Sequence, residues 1–379
     1  MKDAIPNSYI VVYNDKVDFA AVSALESELS TMHAKRNDGL KGIGTKWSMP
    51  GLKGFKIETD EAGLAKIQSS SEVAYIEQEG TMKVNGIEKS NELVYQPGAV
   101  WGLSRISHTL SQGCGNDDYI YDYSAGTGTR AYIIDTGIYL EHNEFGGRAI
   151  WGANFVPGAP DHDDYGHGTH VAGTIGGGTY GVSKNITLVA VKVLNSYGSG
   201  SWEYIISGIE WVVTNAMSLG ITNSSVINMS LGGSRSEVVN QAVRVATSAG
   251  MAVVVAAGNS NDDSIYWSPA SEPSAVTVAA TDCTDTRADF SNFGPIVDLF
   301  APGVNVTSSW TGCPGCVETI SGTSMSTPHV AGLIAYLIAY NSISATQAID
   351  VLHGLATKDL VKDPGAGTPN LLAYNGDYW

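Results

Sequence analysis

From about residue 100 onward the chain repeats one pattern, a short continuously apolar run followed by a helical stretch. The runs are "AYIID", "ITLVAVKVL", "VINMSL", "MAVVVAAGN", "AVTVAA" and "VDLFAPG", with helical patterns near His167 to Gly176, Ser201 to Leu219, Ser236 to Ala249 and Ser324 to Tyr340. A strand with one wet face alternates apolar and polar residues, whereas a strand covered on both faces is apolar throughout. The pattern therefore predicts an α/β fold with a doubly wound parallel sheet, whose ligands sit beyond the carboxyl ends of the strands.

The first ninety or so residues read differently. A strand "SYIVVYN", a helix from about Asp18 to Ala34, strands near Lys41 to Ser48 and Lys53 to Glu58, a helix from Asp60 to Ser69 and a strand "VAYIEQEGTMKV" follow in the order β-α-β-β-α-β. That is the split βαβ, ferredoxin-like arrangement of a small α+β domain. The polar stretch "NGIEKSNELVYQPG", Asn85 to Gly98, reads as a linker because of its Gly and Pro. A length of 379 residues suits two such parts, since single cores stop growing near roughly 250–300 residues.

Composition excludes several functions. A net charge of −17 argues against nucleic acid or an anionic membrane as partner, because those surfaces are held by Lys and Arg. No apolar run reaches transmembrane length. The start, "MKDAIPNSYIVVYND", lacks the apolar core of a secretory signal, so either the protein is intracellular or a signal is left out of this sequence. Cys114, Cys283, Cys313 and Cys316 fit up to two disulfides. The "CPGC" at Cys313 to Cys316 could be a redox motif, half of a zinc site or a disulfide-closed loop; the missing second pair favours the loop. Asn185, Asn223 and Asn305 stand in glycan-acceptor triplets, while Asn228 of "VINMSLGG" reads as buried strand.

Four segments bring chemistry to the predicted sheet edge. Asp135 ends the strand of "YIIDTGI", His167 opens a helix between glycines in "DDYGHGTHVAG", and Asn259 follows the strand of "VVVAAGNSN". Ser324 lies at a helix start in "ISGTSMSTPHVAGLIAYLIAY". Each has an ordinary reading: an acid or Asn for a turn, a packed His, a hydroxyl for a helix cap. Together they are a nucleophile, a base, an orienting acid and an amide able to donate to an oxyanion. His170 and His329 read as packed; the i, i+4 spacing and Glu of a zinc helix are missing.

These segments resemble the active-site motifs of the subtilisin-like serine proteases, in the same Asp, His, Ser chain order. "WGLSRIS", "SEPSAVTV", "INMSLGG" and "LLAYN" narrow the resemblance to the proteinase K branch, common among secreted fungal enzymes. The resemblance implies a secreted serine endopeptidase of broad specificity with Ser324 as nucleophile, His167 as general base and acid, Asp135 as its orienting partner and Asn259 as oxyanion donor. It implies that residues 1–93 are an inhibitory propeptide acting as the enzyme's own intramolecular inhibitor, and that residues 94–379 form the catalytic domain. Alignment on Trp101 places self-cleavage between Leu93 and Val94. Protein and peptide substrates would lie as an added strand between Gly198, Ser199 and Gly200 on one side and Ser230, Leu231 and Gly232 on the other, with Trp202 forming an apolar pocket beside Leu231. No organic cofactor is implied. Calcium is, held by Asp298 with the carbonyls of Pro273 and Ala275, and a second site would pair Thr109 with Asp359. The mature enzyme would be a monomer.

Departures from the branch are equally plain. Its usual cysteine positions hold Arg130, Val171 and Val276, and "CPGC" lies in what looks like an insertion before the Ser motif, so disulfide pairing does not carry over. Two rivals remain to be weighed. An inactive relative would show damage at Asp135, His167, Asn259 or Ser324, and none is damaged. An esterase elbow would need a second Gly where Ser326 stands. Fungal relatives with nearly the same site digest general protein, cuticle or host tissue, so the natural substrate stays open.

Overall fold

The chain divides into two units, Met1–Glu88 and Lys89–Trp379, in a computed structural model that describes residues 4–14, 16–34, 39–49, 52–80 and 93–376. In the first unit β1 (Ala4–Tyr13), α1 (Phe19–Ala34), β2 (Gly42–Met49), β3 (Leu52–Glu58), α2 (Glu61–Gln68) and β4 (Val73–Gly80) follow in the expected order. The strands pair antiparallel in the order β2-β3-β1-β4. Val11, Phe55 and Ile57 point from the sheet onto Leu25, Leu29 and Ile67 of the helices, all buried. Asp60 caps α2 by accepting from Gly63 N at 2.9 Å, as an acid before a helical run should.

The second unit opens with β5 (Leu93–Ala99), α3 (Trp101–Ile106) and β6 (Asp117–Asp122). Leu93 to Gly98 is thus strand rather than the end of a linker. Leu93, Val94 and Tyr95 pair with Asp122, Tyr121 and Ile120 of β6, and the Pro97–Gly98 pair is absorbed in a register shift between Gln96 and Ala99. A proline and glycine that look like a loop in sequence are tolerated at a bulge on such an edge. Asn85 to Glu92 of the expected linker lies outside the described residues.

Next come β7 (Arg130–Asp135), β8 (Ala149–Asn154), α4 (His167–Gly176), β9 (Thr187–Lys192), α5 (Trp202–Leu219), β10 (Ser225–Met229), β11 (Gly233–Ser234), α6 (Glu237–Ser248) and β12 (Ala252–Ala256). The chain ends through β13 (Trp267–Ser268), β14 (Val276–Thr281), β15 (Leu299–Pro302), β16 (Val306–Ser309), β17 (Val317–Ile320), α7 (Thr323–Asn341), α8 (Ala345–Leu355), β18 (Thr357–Lys358) and β19 (Leu371–Leu372). The main sheet runs β18-β19-β15-β14-β12-β10-β7-β9-β8. All its pairings are parallel except β18 with β19. The doubly wound parallel sheet read from the sequence is the sheet observed.

Strand parity explains why the runs are apolar throughout. Ala131, Ile133, Val226 and Val254 face α7, whose Val330, Leu333 and Ile334 are fully buried. Their neighbours Tyr132, Ile134, Ile227 and Val253 face Ile209 and Val212 of α5 and Val243 of α6. Each such side chain contributes roughly 1.5–3 kcal/mol on burial, so neither face can be given up. α7 is apolar nearly all round because it runs inside the domain.

Cys114 is bonded to Cys283 and Cys313 to Cys316, with Cα separations of 5.0 and 5.1 Å. The first pair joins segments 169 residues apart, which spacing alone could not reveal. Asn185, Asn223 and Asn305 are exposed and Asn228 is buried. Among the described residues no helix is long and apolar enough to cross a membrane.

Candidate active site

The carboxyl edge of the sheet gathers the four singled-out residues. Asp135 is the last residue of β7 and fully buried. Its Oδ1 accepts from Thr136 N at 2.7 Å and lies 2.8 Å from His167 Nδ1, with Oδ2 at 3.0 Å from the same nitrogen. A carboxylate can only accept, so Nδ1 carries the proton and Nε2 is left with its lone pair.

His167 opens α4 after Gly166, whose φ is 117°. A Cβ at Gly166 would also stand 2.3 Å from the Trp310 ring, so only glycine fits before the histidine. Burial works against a charged imidazole there. The charge and hydrogen bond of Asp135, with Asp163 behind them, outweigh it, and the net effect holds the His167 pKa above its ordinary value.

Ser324 sits in the first turn of α7. Its Oγ donates to the Ser230 carbonyl at 3.1 Å, while Ser230 Oγ donates to the Ser324 carbonyl at 2.9 Å. The second bond has a cause in the sequence. Pro328, four residues after Ser324 inside the helix, has no N–H, so the Ser324 carbonyl loses its helical donor and Ser230 replaces it. A proline at that offset signals in the sequence that the Ser324 carbonyl needs a donor from outside the helix.

Asn259 lies just beyond β12. Its Oδ1 accepts from Thr323 N at 2.9 Å and Thr323 Oγ1 at 2.8 Å, which fixes the amide and turns Nδ2 outward. An ideal Cβ built on Gly322 would lie 3.6 Å from Asn259 Nδ2 and 3.6 Å from Ser324 N. The two donors therefore border the same space. Ser324 N belongs to the first turn of α7, where N–H groups have no helical acceptor.

Two cavities flank the Ser230–Gly232 segment. One, about 390 Å³, is lined by His167, by Gly198, Ser199 and Gly200, and by Ser230 to Gly232, with Tyr165, Leu194 and Ile205 beneath. Gly200 is required by close approach, since a Cβ there would stand 2.1 Å from the Val193 carbonyl oxygen. The other, about 110 Å³, runs between Leu231, Gly232, Trp267 and Ala270 and ends at Asn259 and Ser324. Trp202 stands outside both linings and is 49% exposed at the first turn of α5. Ile205, on the same helix face one turn further into α5, is buried and lines the larger cavity. Gly198, Ser199, Gly200, Ser230, Leu231 and Gly232, the residues expected on the two sides of the strand-like groove, all line the larger cavity.

The remaining sequence-singled residues lie elsewhere. Asp298 precedes β15 and its Oδ2 accepts from Thr277 N at 2.7 Å, which brings it to the start of β14, the strand that follows Pro273 and Ala275 in the chain. Its Oδ1 has a longer contact, 3.7 Å, with His353 Nε2. Burial pushes the Asp298 pKa up to about 6, against the Thr277 hydrogen bond and the nearby His353. Thr109 and Asp359 are exposed. Leu93 and Val94 open β5. Among the described residues no group of three or more His, Cys, Asp or Glu side chains could hold a metal. His170 and His329 are buried, within hydrogen-bond distance of the Val306 and Met325 carbonyls.

The subtilase family model matches residues 126–367, which contain all four edge residues. The chain is 48% identical over 377 residues to Subtilisin-like protease 2 of Pseudogymnoascus destructans, across 99% of this chain and 91% of that protein. It is 44% identical to Alkaline protease 1 of Emericella nidulans, across 99% and 92% respectively. A crystal structure of a cold-adapted subtilisin-like serine proteinase, 45% identical, superposes with a TM-score of 0.68 over 73% of this chain and 98% of that one. These relatives are consistent with the proteinase K branch read from the motifs. Strand-end acid, paired histidine and helix-start serine agree with those matches in one conclusion: the chain belongs to the subtilase family and is a serine endopeptidase.

Proposed function

We propose that Ser324, His167, Asp135 and Asn259 cut peptide bonds of extended protein segments with broad specificity, and that the observation carrying this reading is the buried Asp135–His167 pair at the same sheet edge as a helix-start serine beside two converging N–H donors. Rotation of Ser324 about χ1 releases Oγ from the Ser230 carbonyl and aims it at His167 Nε2; such bonds are often loose before substrate binds. Nε2 takes the hydroxyl proton as Oγ bonds to the carbonyl carbon, and later delivers it to the leaving amine. Asp135 holds the tautomer and stabilises the imidazolium. Asn259 Nδ2 and Ser324 N receive the oxyanion.

The substrate backbone lies between Gly198–Gly200 and Ser230–Gly232, adding a strand whose hydrogen bonds read no side chains. The side chain before the cleaved bond enters the 110 Å³ cavity. Leu194, Ile205 and Leu231 receive a residue further upstream. A chromogenic peptide assay tests the core of this reading: Ser324→Ala and treatment with a sulfonyl fluoride should each abolish turnover. Activity that survives both sinks it.

Residues 1–93 serve as an inhibitory propeptide of a secreted enzyme, cleaved by the enzyme itself between Leu93 and Val94. What supports this is the ferredoxin-like unit preceding the catalytic one, with near-complete similarity to fungal proteases that include both parts. Ser324→Ala should accumulate the unprocessed chain. Normal processing of that variant without added protease refutes self-cleavage.

Calcium fits at Asp298. A half-buried carboxylate with its pKa raised and one oxygen lacking a close partner is stabilised by a cation. Oxygens of Asp298, Pro273 and Ala275 are the hard ligands it prefers. There calcium would tie the β14 and β15 strand starts together without entering the chemistry.

A further inference from the structure

A third carboxylate stands behind the Asp135–His167 pair. Asp163, four residues before His167, is 1% exposed and accepts five hydrogen bonds. Its Oδ1 accepts from Thr136 Oγ1 at 2.8 Å, Tyr165 N at 3.1 Å and Gly166 N at 2.8 Å. Its Oδ2 accepts from Thr169 N at 2.9 Å and Thr169 Oγ1 at 2.6 Å. Five donors converging on two oxygens is the pattern of an ionised carboxylate, which has acceptor sites and no proton to give.

The donors come from the two places that matter. Thr136 follows Asp135 directly, and its Oγ also accepts from Gly168 N at 2.9 Å. Gly166 and Thr169 flank His167 at the start of α4. One buried side chain thus joins the turn that presents the acid to the turn that presents the base. Thr311 Oγ1 donates to the Asp163 backbone carbonyl at 2.9 Å, anchoring the loop from its other side.

The charges around His167 single Asp163 out. Asp135 comes from β7 and touches the imidazole. From the preceding loop come Asp163, Asp164 and Tyr165. Asp164 is paired with Lys192 of β9 at 2.6 Å. Within α4 itself His170 is held neutral, its pKa pushed down to about 3 by burial. Among the described residues no cation pairs with Asp163, so its charge is free to act on the imidazolium.

We propose that Asp163 is a positioning residue of the reaction: it sets the Asp135–His167 geometry through Thr136 and Gly166, and its charge stabilises the imidazolium formed when Nε2 takes the Ser324 proton. The proposal rests on the assignment of Ser324 and His167 made above.

The test uses the full chain, with kinetics normalised by sulfonyl fluoride titration of active sites. Asp163→Asn should lower kcat about 10- to 100-fold, the loss expected when reacting groups drift by about an ångström, with KM nearly unchanged. The acid limb of kcat/KM should move down by about one pH unit, the effect of removing one charge several ångströms away at an effective dielectric of about 20–40. Asp163→Glu, which keeps the charge, should lower kcat with the acid limb close to that of the parent. A kcat loss that tracks melting temperature in both variants, with the acid limb unmoved in Asp163→Asn, overturns the proposal. Should Asp163→Asn not fold, Thr169→Val removes one of the five donors and keeps the charge. A several-fold lower kcat with an unmoved acid limb then supports the proposal, and parental kcat overturns it. Ser324→Ala in parallel separates the two readings. If it is active the catalytic assignment fails, whereas its inactivity beside a parental Asp163→Asn refutes the role of Asp163 alone.

Discussion

Replacing Asn259 separates the hold on Thr323 from the oxyanion donation proposed above. Asn259→Ala removes both. Thr323 is fully buried, and its N–H and Oγ each lose an acceptor, although Oγ1 still accepts from Gly258 N at 3.2 Å. An unsatisfied buried donor costs about 1–3 kcal/mol, so with two of them stability should fall by about 2–6 kcal/mol. For catalysis, loss of one oxyanion donor costs about 10²–10³ in kcat, a range observed for the equivalent donor in subtilisin, a relative. Asn259→Asp is the sharper probe. Its carboxylate still accepts from both Thr323 groups, so stability should stay within about 1 kcal/mol of the parent. Where Nδ2 stood it presents an acceptor to a developing anion, so kcat should fall further than in the alanine variant. The assay is kcat and KM on a peptide anilide, with urea unfolding of each variant in the Ser324→Ala background. Asn259→Asp with kcat within tenfold of the parent, or losses of either variant confined to KM, would refute the oxyanion role.

Three other outcomes are expected. Because the His167 pKa is raised and the reaction needs the neutral imidazole, kcat/KM should climb through a midpoint above the ordinary value of about 6.5, and Asp135→Asn should move that midpoint down as it lowers the rate; a pH–rate profile checks both. Burial holds the pKa of His170 near 3 and that of His329 near 4, so the unfolded chain binds more protons below about pH 6.5 and stability should fall as pH drops from there towards 4, by up to about 2 kcal/mol per histidine at pH 5. Urea titrations of Ser324→Ala at pH 7 and pH 5 measure this, and equal midpoints contradict it. Calcium should raise the melting temperature of the parent above its value in EDTA, while Asp298→Asn should lose that response and be no less stable than the parent in EDTA, where the raised Asp298 pKa makes the carboxylate a liability at neutral pH.

Elements were legible wherever one periodicity dominated. The continuous runs of β7, β9, β10, β12 and β14 announce strands covered on both faces, and α4, α5, α6 and α7 lie within two residues of their expected spans, whereas α8 is not among the helices read from the sequence. The edge strand β8 escaped notice because "AIWGAN" is neither alternating nor continuously apolar. β5 reads as linker in sequence because a strand on the outside of a domain needs only a partner, here β6, which sequence does not name. Trp202, which the resemblance places at an apolar pocket beside Leu231, stands half in solvent at its helix start, and Ile205 lines the cavity next to Leu231.

By itself the sequence determined the two kinds of domain and the parallel sheet, and it singled out Asp135, His167, Asn259 and Ser324 as candidates, because periodicity and short motifs are local properties. Only the tertiary structure decided what those residues are fastened to. The Thr323 grip on Asn259, the exchange between Ser230 and Ser324, the Cys114–Cys283 bond and the Thr136 bond to Asp163 each join groups from different turns or strands. Such pairings depend on which strand ends the sheet order brings side by side, and that order is set by long-range packing rather than by neighbours in the chain.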